Sequence, residues 1–144
     1  MVTKLPDGLP FEVTNFLEQL RTWARGEPDL IAIALVGSQA RGEATPESDI
    51  DLVLIFTDPE PILIHRDWIS IFGQPDLIEV EHWGKVTALR VSYAHGLEVE
   101  FGVTAVEWGA DPEDEGDGQV IRDGLMILFE RSGHLSRKLK RFLS

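Results

Sequence analysis

The sequence contains no cysteine. That absence excludes disulfides, thiolate metal sites and cysteine nucleophiles, so the fold has to rest on its hydrophobic core. No apolar run approaches the ~18 residues that a membrane-spanning helix needs. The opening residues, Met1-Val2-Thr3-Lys4-Leu5-Pro6-Asp7-Gly8, lack the apolar stretch of an export signal, so the cytoplasm is the expected setting. Basic residues are scarce: 13 Lys and Arg stand against 25 Asp and Glu, a formal net charge of −12. A broad nucleic-acid surface needs clustered Lys and Arg and is not expected. The charge suits a cationic ligand, a metal-recruiting site, or solubility alone. What is present, 144 residues with 43% hydrophobic and 26% charged, reads as one soluble globular domain over 1–144.

The chain is organised around Leu35-Val36-Gly37-Ser38-Gln39-Ala40-Arg41-Gly42 and, beyond a loop containing Pro46, Ser48-Asp49-Ile50-Asp51-Leu52. The apolar run Leu30–Val36 reads as a buried strand that breaks at Gly37-Ser38. Glycine admits close approach of the backbone to a ligand. Ser38 adds a hydroxyl and a backbone N–H where a short helical turn over Gln39 to Gly42 begins, a place that suits phosphate. A second strand is expected over residues 49–56. Asp49 and Asp51 lie at i and i+2, so their carboxylates project from one face. Two carboxylates so placed repel, and a divalent cation would relieve the repulsion. The plain alternative is a turn followed by an acidic strand start without chemistry.

The rest of the chain supplies a scaffold. Residues 10–25 show a helical period in Val13, Phe16, Leu17, Leu20, Trp23 and Ala24, stopped by Gly26 and Pro28. Asp58-Pro59 is a helix start, and the spacing predicts a helix to Phe72 with Ile62, His65, Ile69 and Phe72 on one face. His65 reads as a packing or solvated residue. Residues 76–83, 87–93 and 97–101 alternate and predict half-buried antiparallel strands joined at Gly84 and Ala94-His95-Gly96. Their polar face carries Glu79, Glu81, Arg90, Ser92, Glu98 and Glu100. Residues 105–118, acidic and glycine-containing with Pro112, read as a solvated loop, with a substrate-facing lid as the functional alternative. Trp108 there either stacks on a base or sugar or plugs the core edge. Residues 124–130 predict a last short strand. Ser132 is placed to cap a final helix with Leu135, Leu139 and Phe142 inward, whose Arg137, Lys138, Lys140 and Arg141 complement the helix dipole. An RNA-binding reading of that basic cluster runs against the net charge. The fold class is α/β (α+β): a small mixed, mostly antiparallel sheet with helices on one face and an acidic face on the other.

Gly37-Ser38 followed by Asp49-Ile50-Asp51-Leu52 resembles the signature of the polymerase-beta-like nucleotidyltransferase superfamily. The fuller string, with Gln39-Ala40-Arg41-Gly42 and Ser48, is similar to its small bacterial members, the minimal nucleotidyltransferases and the aminoglycoside-type adenylyltransferases. The resemblance implies attack by a hydroxyl on the α-phosphate of ATP or another nucleoside triphosphate, with pyrophosphate leaving. It implies two magnesium ions on Asp49 and Asp51, a triphosphate cradled at Gly37 and Ser38, and Arg41 neutralising phosphate charge. It also implies a third carboxylate, both metal ligand and base, on the Leu97–Val103 strand. Glu98 and Glu100 share a face and geometry admits both. The family usually places an aspartate there, and Glu100-Phe101-Gly102-Val103 matches its position better. A purely structural alternative is a cross-strand ion pair between Arg90 and Glu100. The expected acceptor is a small cationic molecule or a protein, with a homodimer or a partner protein completing a shallow site. Two alternatives stand beside the enzyme: an antitoxin-type partner of a toxin, and a catalytically inactive nucleotide- or partner-binding module.

Overall fold

The computed structural model describes residues 4–5, 7–45, 47–111 and 113–143. Pro46 and Pro112, both expected in loops, lie outside the described residues, as do residues 1–3 and 6 of the opening segment. The first amphipathic period forms helix α1 (Phe11–Arg25), which buries Val13, Phe16, Leu17, Leu20 and Ala24. The apolar run after it forms β1 (Leu30–Val36), followed directly by a short helix α2 (Gly37–Arg41). Strand β2 spans Ile50–Phe56. The three alternating segments form β3 (Pro75–Trp83), β4 (Val86–Tyr93) and β5 (Glu98–Ala105), and the last strand is β6 (Met126–Glu130). The sheet order is β3-β4-β5-β2-β1-β6. Only the β2–β5 pair is parallel; its neighbours pair antiparallel.

Each face of the sheet buries its own cluster. On one, Ile33, Leu35, Leu52, Leu54, Leu89, Val91 and Phe101 pack beneath α1 and beneath Trp68 and Phe72. Trp23 stacks on Trp68 with centroids 5.2 Å apart. On the other, Ala32, Ala34, Val53 and Ile55 pack under Trp108, Ile121 and Leu135. The small alanines of β1 leave room for the Trp108 indole. Helices α4 (Glu115–Asp123) and α5 (His134–Leu143), which carry Ile121 and Leu135, therefore cover the β6–β1–β2 end of this second face. The β3–β4–β5 end keeps its polar side chains. Among the described residues no helix is long and apolar enough to cross a membrane.

Three local expectations need correction, and one open choice is decided. The helix predicted over 58–72 is broken into α3 (Glu60–Ile64) and a 3₁₀ turn (Asp67–Phe72). Side chains take over its last carbonyls: Trp68 Nε1 donates to Ile62 O at 2.9 Å and Arg66 Nε to Leu63 O at 2.8 Å, while His65 turns extended. The acidic stretch 105–118 is not a solvated loop throughout, because α4 begins at Glu115 and Asp117 is buried. Trp108 is 2% exposed and plugs the core, which removes it as a base-stacking aromatic. Ser132, at φ 53°, does not cap the last helix. The Glu130 carboxylate does, accepting from the N–H groups of Leu135 and Ser136 at 3.0 Å each. In the basic cluster, Lys138 is a buried tether that donates to Val106 O at 2.5 Å and Trp108 O at 2.6 Å, and burial pushes its amine down to about 8.

Candidate active site

Register brings the acidic residues together. Val36 is opposite Asp51, Asp51 opposite Glu100, Glu100 opposite Arg90, and Arg90 opposite Glu79. One rung thus crosses five strands, and directly opposed residues share a face. Asp49, just before β2, stands on the same face as Asp51 by strand alternation. Glu98 lies opposite Ser92, whose hydroxyl donates to Glu98 Oε2 at 3.0 Å. Glu98 is thereby engaged on the β4 side, whereas Glu100 has Asp51 as its direct neighbour on β2.

Gly37 fixes the position of Asp51. Its φ is 69°, a region L side chains rarely adopt. A Cβ built there would stand 2.4 Å from Asp51 Oδ2, so the carboxylate occupies the space that any other residue would fill. The smallness of Gly37 therefore serves an internal contact, a reason that its sequence neighbourhood does not reveal. Gly42 closes α2 in the left-handed conformation, its N–H donating to Ser38 O. Arg41 lies exposed at the end of α2, 3.4 Å from Glu43. Its positive charge reaches Asp51.

The electrostatics are those of crowded carboxylates. Burial, then the charge of Asp49, raises Asp51 above its ordinary range, while Arg90 and Arg41 oppose the rise. Burial, then the charge of Asp51, raises Glu100, and Arg90 again opposes. The guanidinium that holds this cluster together bonds diagonally: Arg90 Nη2 donates to Asp49 Oδ2 at 2.5 Å. The Arg90–Glu100 register foreseen from the hairpin is present, but the ion pair goes to Asp49. This contact joins residues 41 apart in sequence and had no local signal.

Among the described residues, no group of three or more His, Asp or Glu side chains already converges in a metal-holding arrangement. The donor chemistry nonetheless fits a hard divalent cation. The donors are carboxylate oxygens, which such cations prefer. The raised affinity of Asp51 and Glu100 for protons marks a place where positive charge is wanted.

A family model described as a nucleotidyltransferase domain matches residues 15–101, more than half of the chain. No curated protein matches the sequence. Among solved structures, an aminoglycoside 6-adenyltransferase from Bacillus subtilis is similar with a TM-score of 0.57 at 15% identity, over 75% of this chain and 40% of that one. The Cid1 poly(U) polymerase bound to MgATP is similar with a TM-score of 0.51 at 19% identity, over 70% of this chain and 34% of that one. A Cid1 complex with the UTP analogue UMPNPP gives 0.51 at 16% identity, over 83% and 35%. At these identities the likeness is one of fold. The chain spans less than half the length of each of these structures.

Proposed function

The chain belongs to the nucleotidyltransferase domain family, and from that premise we propose that it moves a nucleotidyl group, adenylyl foremost, from a nucleoside triphosphate to a hydroxyl acceptor. The observation that carries the proposal is the rung itself: Asp51 directly opposite Glu100 across the parallel pair, with Asp49 beside them and Gly37 holding Asp51 in place. In the reaction the acceptor oxygen bonds to the α-phosphorus, the bond to the β-phosphate oxygen breaks, and pyrophosphate leaves. Asp49, Asp51 and Glu100 would hold magnesium, two ions on the family pattern, which would neutralise triphosphate charge and ease deprotonation of the acceptor.

The chain's own groups do the rest. Glu100 takes the acceptor proton, a role suited to a carboxylate whose proton affinity is already raised. Gly37 and Ser38 receive the triphosphate where β1 ends, and Arg41 offers its guanidinium to phosphate oxygens. Residues 1–144 act as one catalytic domain, and a second copy or a partner protein completes the acceptor side. A cytoplasmic setting supplies ATP and magnesium. The acidic face suits a small cationic acceptor or a basic protein surface better than a nucleic-acid end. One observation favours a second reading: a guanidinium already occupies Asp49, as it would in a module that binds nucleotide without turnover.

Calorimetry with ATP, with and without magnesium, followed by α-labelled ATP and a panel of aminoglycosides and basic proteins, separates these readings. Magnesium-dependent binding with label transfer and pyrophosphate release is the expected result. Binding without transfer across the panel favours the module. Absence of any triphosphate binding contradicts both.

A further inference from the structure

Arg90 is the only basic residue in the rung, and it has carboxylates on both neighbouring strands and on the residue before β2. It bonds Asp49, which precedes β2, and its register partners are Glu100 on β5 and Glu79 on β3. A guanidinium keeps its charge at every working pH, so Arg90 is a permanent cation placed where a metal would engage Asp49. Both side chains are partly open to solvent, 39% and 28% exposed, so the pair has room to separate. A guanidinium and a divalent cation cannot both take the same carboxylate oxygen. On the reading that Asp49 and Asp51 hold a divalent cation, we propose that Arg90 is a positioning residue that exchanges partners. It holds Asp49 when no cation is bound and passes to Glu79 when a cation takes Asp49.

Glu79 is the partner of choice for physical reasons. Glu100 adjoins Asp51 and is drawn to the same cation. Glu79 is exposed on the edge strand, on the side of Arg90 away from Asp51, so moving there separates two positive charges. The exchange keeps the carboxylate cluster assembled without metal. It also shifts the Arg90 side chain outward, clearing the face over Glu100 where the acceptor must approach.

Manganese binding to the full chain, followed by calorimetry without nucleotide, tests the exchange apart from turnover. Arg90→Gln should bind manganese about tenfold tighter, because no guanidinium has to be displaced. Glu79→Gln should bind about threefold weaker, because the displaced guanidinium loses its destination. The Glu79→Gln effect should vanish in the Arg90→Gln background, a coupling that a general field effect would not produce. Arg90→Lys keeps a displaceable cation and should stay near wild type. If Arg90→Gln folds poorly by circular dichroism, Arg90→Lys and Glu79→Gln, which keep a cation for Asp49, carry the test. Unchanged or weaker manganese binding in folded Arg90→Gln overturns the exchange, as does an equal Glu79→Gln loss in both backgrounds. Wild-type protein that binds no manganese overturns the metal reading itself, and the exchange with it.

Discussion

At the residue scale, Gly37 sets the geometry of the acidic rung. Its positive φ and the carboxylate of Asp51 in its Cβ space make it a positioning element for that carboxylate. Gly37→Ala should therefore displace Asp51 and strain the backbone together, destabilising the chain by about 1–2 kcal/mol. Activity should fall by about tenfold or more, because a carboxylate moved by an ångström loses its aim. Chemical denaturation and a transfer assay check both effects, and an unaffected Gly37→Ala would contradict the packing argument. Asp49 and Asp51 were legible as a pair because strand alternation puts i and i+2 on one face, whereas alternation admitted Glu98 and Glu100 alike and only the family resemblance preferred Glu100. The Arg90–Asp49 bond was not legible, since it crosses three strands and only the folded register reveals it. For Trp108 the sequence left base stacking and core plugging both open, and only Ala32 and Ala34 beneath it decide for the core.

At the element scale, the strands were readable and the irregular pieces were not. Alternation over β3, β4 and β5 fixes which face is polar, and the hairpin turns fix the opposition of Arg90 to Glu100 and of Ser92 to Glu98. The break between α3 and the 3₁₀ turn depends on Trp68 and Arg66 capturing carbonyls, which periodicity does not encode. The same holds for α4. Asp114 caps its start by accepting from Asp117 N–H at 3.1 Å. Asp117 accepts from Gly109 N–H at 2.8 Å and pairs with Lys85 at 3.2 Å, tying the β3–β4 turn to the helix. Asp117→Ala leaves the Gly109 N–H without its partner in a buried place. It should cost about 2–3 kcal/mol of stability without touching the acidic rung. Denaturant unfolding measures the loss, and hydrogen exchange should localise the faster opening to residues 106–123. A uniform change in exchange, or none, would show that this network does not anchor α4.

At the scale of the whole molecule, one parallel strand pair brings distant carboxylates together, and the fold tolerates their repulsion. The sign follows from the raised carboxyls of Asp51 and Glu100. The folded state holds their protons more tightly than the unfolded chain, so their contribution to stability is favourable below the ordinary carboxylate range. It is lost as pH rises through the raised values. Once deprotonated, both cost stability, because burial and the neighbouring carboxylate disfavour their charge. Asp51→Asn and Glu100→Gln should therefore each raise the melting temperature at pH 7, with the gain shrinking toward pH 4; calorimetric melting across that range checks it, and a fall at pH 7 would contradict the electrostatic picture. Sites commonly trade stability for function in this way. The general fold was legible because one buried face and one polar face follow from patterning; the second core was not, since α4 and α5 cover part of the face expected to stay acidic. The acceptor was not, because the chain spans less than half the length of the similar structures and its charge suits more than one partner. The most direct test of the central claim is nucleotidyl transfer from α-labelled ATP with magnesium by wild type, Asp51→Asn and Glu100→Gln, each checked for folding. The account predicts transfer by wild type and a loss of about a hundredfold or more in both variants, with triphosphate binding retained in Glu100→Gln. Full transfer by either folded variant would contradict it.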